Sequence, residues 1–169
     1  MKNGKLRIIL SGGGTGGHIY PSVAVAEALR SKLGDDVELL FVGALGKMEM
    51  EKIPALGYNI VGLPVAGLQR RLDARNLALP FKVLRSIREA RRTVRNFGPD
   101  AVAGFGGYAS APVLWAAQRM GIPTLIQEQN SYAGVTNKIL SKHADRICTA
   151  YDGMERFFPA DRIVKTGNP

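Results

Sequence analysis

The sequence predicts an α/β fold in which a Rossmann-like parallel sheet carries helices on both faces. Short apolar runs alternate with helical patterns along the 169 residues, as they do in repeated β-α-β units. Glycines stand at the junctions, at positions 34, 57, 98 and 121, where helices commonly end. Hydrophobic residues make up 46% of the chain and charged residues 22%, which indicates a globular protein of one domain or one large half of a two-domain protein.

Each predicted strand is an apolar run bounded by turn residues, and each predicted helix has apolar residues at helical spacing. The helix over 80–97, for example, begins at a proline and ends before Gly98 and Pro99. The predicted strands cover residues 6–11, 37–43, 58–62, 100–104, 123–127, 145–149 and 162–165. The predicted helices cover residues 17–33, 47–55, 80–97, 109–120, 134–142 and 152–157.

A glycine-rich loop, Gly-Gly-Gly-Thr-Gly-Gly-His at 12–18, joins the first strand to the first helix. Backbone N–H groups of such a loop, together with the helix N-terminus, favour a phosphate or diphosphate, and His18 adds an acid/base candidate. A dinucleotide site also needs an acidic residue at the end of the second strand, where Gly43 and Ala44 stand instead. No Walker lysine follows the glycines. A tight turn without any ligand is the remaining alternative.

Two further loops follow predicted strands, and ligands of open parallel sheets collect beyond the carboxyl ends of the strands. The loop at 104–110 offers backbone donors at Gly106 and Gly107, with the Tyr108 hydroxyl nearby. In the polar loop after residue 127, Glu128 can accept from sugar hydroxyls or orient a base, and Asn130 can donate and accept. For the loop at 104–110, the alternative is close packing of helix on strand. For the polar loop, the alternative is ordinary exposure to solvent.

The rest of the composition narrows the function classes. One cysteine, Cys148, predicted to be a small buried residue, and two histidines offer no zinc ligand set, so we expect no metal or cofactor. No apolar run reaches about 18 residues, so we expect no membrane-spanning helix. The chain enters a strand directly after its first residues, so we expect no signal peptide.

The net charge of +9 is concentrated in one segment, since residues 68–97 contain nine basic and two acidic residues. On a helical wheel of 80–97, Phe81 and Leu84 fall beside the arginines instead of joining the core stripe, which runs through Val83 and Ile87. Exposed apolar groups among basic ones favour an anionic membrane surface. A solvated helix face and a nucleic-acid surface are alternatives, but no stacking platform or nucleic-acid motif accompanies the charge.

Five motifs together resemble the MurG family of bacterial glycosyltransferases, over the whole chain and in order. They are Gly-Gly-Thr-Gly-Gly-His at 13–18, Gly-Gly-Tyr-Ala-Ser at 106–110, Glu-Gln-Asn-Ser at 128–131, Ala-Gly-Val-Thr-Asn-Lys at 133–138 and Thr-Gly-Asn-Pro at 166–169. The resemblance implies the N-terminal half of an inverting GT-B enzyme. It would transfer N-acetylglucosamine from UDP-N-acetylglucosamine to the C4 hydroxyl of lipid I, giving lipid II for peptidoglycan, at the cytoplasmic face of the inner membrane.

The resemblance also implies roles for individual residues. His18 would be the catalytic base. The donor contacts of this half would be Thr15, Gly16, Gly17 and Asn130. The acceptor and its diphosphate would contact Gly13, Gly14, Gly106, Gly107, Tyr108 and Glu128. The membrane patch would consist of Leu77, Leu79, Phe81, Lys82, Leu84, Arg85 and Arg88, with Trp115 as a neighbour. Many relatives have histidine where this chain has Gln127, which cannot titrate.

The resemblance implies an acceptor- and membrane-binding domain over 1–165, with 166–169 beginning a linker to a donor-binding domain. Without that domain, the chain should bind acceptor or membrane but show no turnover. Two other functions stay open at this point: a non-catalytic membrane-recruiting subunit of a split glycosyltransferase, and an NAD-binding Rossmann domain of an oxidoreductase.

Overall fold

The computed structural model describes residues 4–65 and 79–169 and contains a seven-stranded parallel sheet. The strands are β1 (Leu6–Ser11), β2 (Val37–Ala44), β3 (Ile60–Leu63), β4 (Ala101–Gly104), β5 (Thr124–Glu128), β6 (Arg146–Thr149) and β7 (Ile163–Lys165). The helices are α1 (Gly16–Leu33), α2 (Glu49–Ala55), α3 (Leu79–Phe97), α4 (Ser110–Arg119) and α5 (Val135–Leu140). The Rossmann-like parallel sheet predicted from the sequence is confirmed.

Helices cover both faces of the sheet and bury two separate apolar clusters. Ile19 and Val23 of α1 pack with Leu10 of β1 on one face. Val94 of α3 and Leu114 of α4 belong to the cluster on the other face. Strands covered on both faces must be apolar throughout, which explains why the apolar runs locate them correctly in the sequence.

The sheet order β3-β2-β1-β4-β5-β6-β7 places β1 between β2 and β4. The connections therefore diverge to opposite sides of the sheet at the β1–β4 pair, which is where ligands of doubly wound folds bind. Ser11 and Gly104 are register partners at the ends of these two strands, and the Phe105 N–H donates to the Ser11 carbonyl over 2.8 Å. The loops that follow β1 and β4 consequently start side by side.

Two predictions about the C-terminal third are wrong. The helix predicted over 152–157 is a single 3-10 turn, Met154–Arg156. Gly153 directly before it takes the left-handed φ of +72°, and Pro159 follows closely, so an α-helix has no room to extend. Cys148 is half-buried instead of fully buried, and burial raises the pKa of its thiol.

Candidate functional site

His18 stands in the first turn of α1, with one ring nitrogen held by the loop that precedes the helix. Its Nδ1 lies 3.1 Å from the Gly13 carbonyl oxygen and 3.2 Å from the Thr15 hydroxyl. A carbonyl oxygen can only accept, so the contact with Gly13 is a hydrogen bond in the tautomer that carries its proton on Nδ1. In that tautomer Nε2 is unprotonated and is able to accept a proton from another molecule.

The two glycine loops pack against each other around this ring. Gly106 and Gly107 have φ values of +92° and +80°, in the region that favours glycine. A Cβ on Gly107 would collide with the Gly13 carbonyl, and one on Gly106 would lie 3.0 Å from His18 Nε2. The glycines of the second loop are thus needed for its close approach to the first loop, and the imidazole lies at their contact.

Glu49, at the start of α2, is a member of the site that sequence reasoning missed. Its side chain is 1% exposed, and its two carboxylate oxygens accept from the N–H groups of Gly14, at 3.1 Å, and Ala44, at 3.0 Å. The Gly14 N–H, predicted to face a diphosphate, is therefore bonded to Glu49. An acidic residue in the first turn of a helix is common, so no local signal distinguishes Glu49 in the sequence.

Glu128, predicted to contact the acceptor, is buried and forms hydrogen bonds within the chain. The residue is 2% exposed, and its carboxylate accepts four hydrogen bonds. Oε1 accepts from the backbone N–H and side-chain amide of Asn130, and Oε2 accepts from the Gly134 N–H and the Asn137 side chain. A carboxylate has about four lone-pair sites, so these bonds use its capacity. These bonds hold the loop that follows β5, the third loop. Glu128 also lines the groove beside His18, and its predicted contact with the acceptor stays a prediction.

Glutamine side chains connect the third loop to its neighbours. Gln129 donates to the Phe105 carbonyl of the second loop over 3.1 Å. Gln127 is 3% exposed and donates to the Gly167 carbonyl over 3.0 Å. These two hydrogen bonds connect the β5 end of the sheet to the loop after β4 and to the segment after β7.

A groove of about 690 Å³ runs from His18 along the space between α3, α4 and α5. Its polar end includes Gly106, Gly107, Tyr108 and Asn130, and Lys82 also lines it. Its apolar wall is formed by Val65, Val83, Ile87, Pro112, Trp115, Val135, Ile139 and Leu140. Such a groove suits a ligand with a polar group near His18 and an extended apolar part.

The predicted donor contacts lie beside the groove. Thr15 precedes α1 as its N-cap residue, and Gly16 and Gly17 form its first turn, where N–H groups lack intrahelical partners. Thr15, Gly17 and Asn130 are exposed. Within residues 4–65 and 79–169, no three His, Cys, Asp or Glu side chains are grouped as metal ligands would be.

The predicted membrane patch is exposed where it is described. Phe81 is 76% exposed and Leu84 is 64% exposed, and Lys82, Arg85 and Arg88 are also exposed. Val83, predicted to belong to the core stripe, is 45% exposed and lines the groove. Leu77 and the Leu79 side chain lie outside the described residues. Among the helices that are described, none is both long and apolar enough to span a bilayer.

The family model of the glycosyltransferase family 28 N-terminal domain matches residues 8–149. The chain belongs to glycosyltransferase family 28. Among solved structures, the crystal structure of Acinetobacter baumannii MurG superposes with a TM-score of 0.83 at 35% identity, covering 97% of this chain and 46% of that one. A UDP-N-acetylglucosamine 2-epimerase from Rickettsia bellii, at 16% identity and a TM-score of 0.63, shares the fold.

Curated members of family 28 are more similar in sequence. A protein of Cytophaga hutchinsonii is 61% identical over 163 residues, which are 96% of this chain and 44% of that protein. One from Parabacteroides distasonis is 58% identical over 165 residues, 98% of this chain and 45% of that protein. Both are named UDP-N-acetylglucosamine–N-acetylmuramyl-(pentapeptide) pyrophosphoryl-undecaprenol N-acetylglucosamine transferase. The chain spans less than half the length of these relatives.

Replacing Glu128 with glutamine should lower the free energy of unfolding by about 1–3 kcal/mol, because an amide nitrogen cannot accept the hydrogen bonds that one carboxylate oxygen receives. Urea denaturation followed by circular dichroism measures the change. Glu155→Gln, at an exposed position in the same half of the chain, should stay within about 0.5 kcal/mol of wild type. Equal midpoints for Glu128→Gln and wild type would show that the carboxylate does not hold the third loop.

Proposed function

We propose that this chain is the acceptor-binding half of an inverting transferase that moves N-acetylglucosamine from UDP-N-acetylglucosamine to the C4 hydroxyl of lipid I. The observation that carries the proposal is His18 at the head of an apolar groove, with its Nδ1 held 3.1 Å from the Gly13 carbonyl oxygen. The names of the relatives supply the donor and acceptor. The product, lipid II, is used for peptidoglycan synthesis and hence for cell-wall biogenesis, cell shape and division.

In the proposed reaction, His18 Nε2 removes the proton of the acceptor's C4 hydroxyl. The oxygen then attacks the anomeric carbon of the donor from the face opposite the diphosphate. The new glycosidic C–O bond forms while the bond to UDP breaks, and UDP leaves with the electron pair, so the anomeric configuration inverts. His18 is the only proton acceptor that this displacement needs, and we propose that it proceeds without a metal or other cofactor.

The acceptor would lie in the groove with its diphosphate near Gly13, Gly106, Gly107 and Tyr108. Donor contacts from this half would come from Thr15, Gly16, Gly17 and Asn130, and a second domain would supply most of the others. In this proposal residues 1–165 form the acceptor domain and residues 166–169 lead into the donor domain. The share of the relatives that this chain covers, about 45%, supports such a division.

In this proposal the protein is peripheral on the cytoplasmic face of the inner membrane, and the exposed start of α3 supports its contact with a membrane. Phe81 and Leu84 could enter the interface while Lys82, Arg85 and Arg88 meet anionic lipid headgroups. Lys82 and Val83 line the groove as well, so the groove opens beside the surface that would contact lipid. A membrane-embedded acceptor would then reach His18 without leaving the bilayer.

Calorimetric titration of the chain with a soluble short-chain lipid I analogue tests acceptor binding. We expect saturable binding that is lost when the analogue lacks its diphosphate, because the polar end of the groove would hold that group. UDP-N-acetylglucosamine and NAD serve as parallel titrants, and both should bind weakly. Binding of NAD without binding of the analogue would favour an oxidoreductase domain and overturn the proposal.

His18→Ala and His18→Gln test the base in an enzyme that joins this chain to its donor-binding half. Loss of a general base should lower kcat by at least about 100-fold, and neither replacement can take up the proton. Sugar transfer from radiolabelled donor measures the rate. The matched control is His143→Gln, since His143 is exposed and lies outside the groove. An unchanged rate in both His18 variants would contradict the base assignment.

The double variant Phe81→Ser, Leu84→Ser should bind phosphatidylglycerol vesicles at least about tenfold more weakly than wild type, because burying each side chain is worth about 1.5–3 kcal/mol. Vesicle co-sedimentation measures the change, and phosphatidylcholine vesicles should bind either protein less. Leu56→Ser removes an apolar side chain, 47% exposed, from the turn after α2 and should leave binding unchanged. Equal sedimentation of the double variant and wild type would exclude this membrane surface.

A further inference from the structure

Glu49 is buried at a place where two glycines leave room for its side chain. A Cβ on Gly13 would collide with a carboxylate oxygen, and one on Gly43 would lie 2.5 Å from Glu49 Cγ. The side chain therefore passes between two glycines, one in the first loop and one near the end of β2. Its carboxylate lies against the first glycine loop and accepts a hydrogen bond from the Gly14 N–H.

The Gly14 N–H and the Gly13 carbonyl belong to the same peptide group. The N–H donates to Glu49 Oε2 over 3.1 Å, and the carbonyl oxygen accepts from His18 Nδ1 over 3.1 Å. No described peptide bond is cis, and a trans peptide points its N–H and C=O in opposite directions. One planar unit thus links the buried carboxylate on one side to the imidazole on the other.

A peptide between two glycines can rotate at little cost, because glycine tolerates both signs of φ. Gly14 already has a φ of +85°. If the Gly13–Gly14 peptide flipped, its N–H would point at His18 Nδ1. Nδ1 would then have to accept a hydrogen bond instead of donating one. The neutral ring would then carry its proton on Nε2, and the nitrogen that faces Gly106 could no longer take a proton.

We propose that Glu49 is a positioning residue that sets the tautomer of His18 through the Gly13–Gly14 peptide. The carboxylate can only accept, so it keeps the Gly14 N–H on its own side and the Gly13 carbonyl towards the imidazole. The importance of this tautomer for sugar transfer rests on the proposed function. The tautomer itself is a property of this chain and can be observed without any transfer reaction.

Long-range proton–nitrogen correlation spectra of the 15N-labelled chain, recorded at a pH where the imidazoles are neutral, report which ring nitrogen carries the proton. The chain has two histidines, so His143→Gln assigns the signals. We expect His18 in the wild type to be the Nδ1–H form. In Glu49→Gln an NH₂ group replaces one of the two accepting oxygens, so the Gly14 N–H is held less firmly. We expect the Nε2–H form of His18 to become the major one. The exposed His143 should show no change.

Glu51→Gln is the matched control, because it removes the same charge from an exposed position on the same helix and should leave His18 in the Nδ1–H form. Wild-type His18 in the Nε2–H form would overturn the proposal. So would a folded Glu49→Gln chain, judged by its amide spectrum, with His18 still in the Nδ1–H form.

A wild-type measurement keeps the proposal testable if Glu49→Gln does not fold. A scalar coupling from the Gly14 amide nitrogen to the Glu49 carboxylate carbon should be detectable across the hydrogen bond, and its absence would overturn the proposal. The two proposals fail separately. A tautomer change in Glu49→Gln, in a chain that binds no lipid I analogue, would support the positioning role and contradict the transferase function.

Discussion

The close packing of two glycine loops around His18 is the contact on which the rest of the site depends. The divergence of connections at β1 and β4 brings the loops together, and the lack of side chains at Gly13 and Gly107 lets their backbones touch. Backbone of both loops lies against the imidazole, and the Thr15 hydroxyl lies 3.2 Å from its Nδ1. Any substitution that separates the loops would release the ring.

Buried carboxylates hold two of the three loops at this edge of the sheet. Glu49 and Glu128 are both almost completely inaccessible, and amide N–H groups satisfy each of them. Each carboxylate accepts from a loop residue and from the neighbouring strand or helix. Movement of the loop would cost free energy, because it would leave the buried carboxylate without some of its partners. These hydrogen bonds restrain the loops, although loops at this edge of a sheet are ordinarily mobile. Restrained loops suit a site that must be preorganised.

The sequence predicted those features that depend on local pattern. Strands buried on both faces must be apolar, and glycine loops between strands and helices are visible as motifs, so the fold and the position of His18 followed directly. Glu49 was missed because its partner, Gly14, lies 35 positions away and nothing local indicates the contact. Glu128 was identified as a candidate, but its four hydrogen-bond donors become evident only once the third loop is folded. Val83 fitted the core stripe, yet the groove leaves it exposed.

The position of α3 in the fold has a consequence for how reactants could meet. The helix starts at the same edge of the sheet as the two glycine loops, because it follows β3 in a parallel arrangement. A protein attached to a bilayer by that end would search for a lipid-linked sugar by lateral diffusion in two dimensions. In the proposed function, the soluble sugar nucleotide would arrive from the aqueous phase. Each reactant would then have its own route of entry, and a crowded membrane surface would not obstruct the nucleotide.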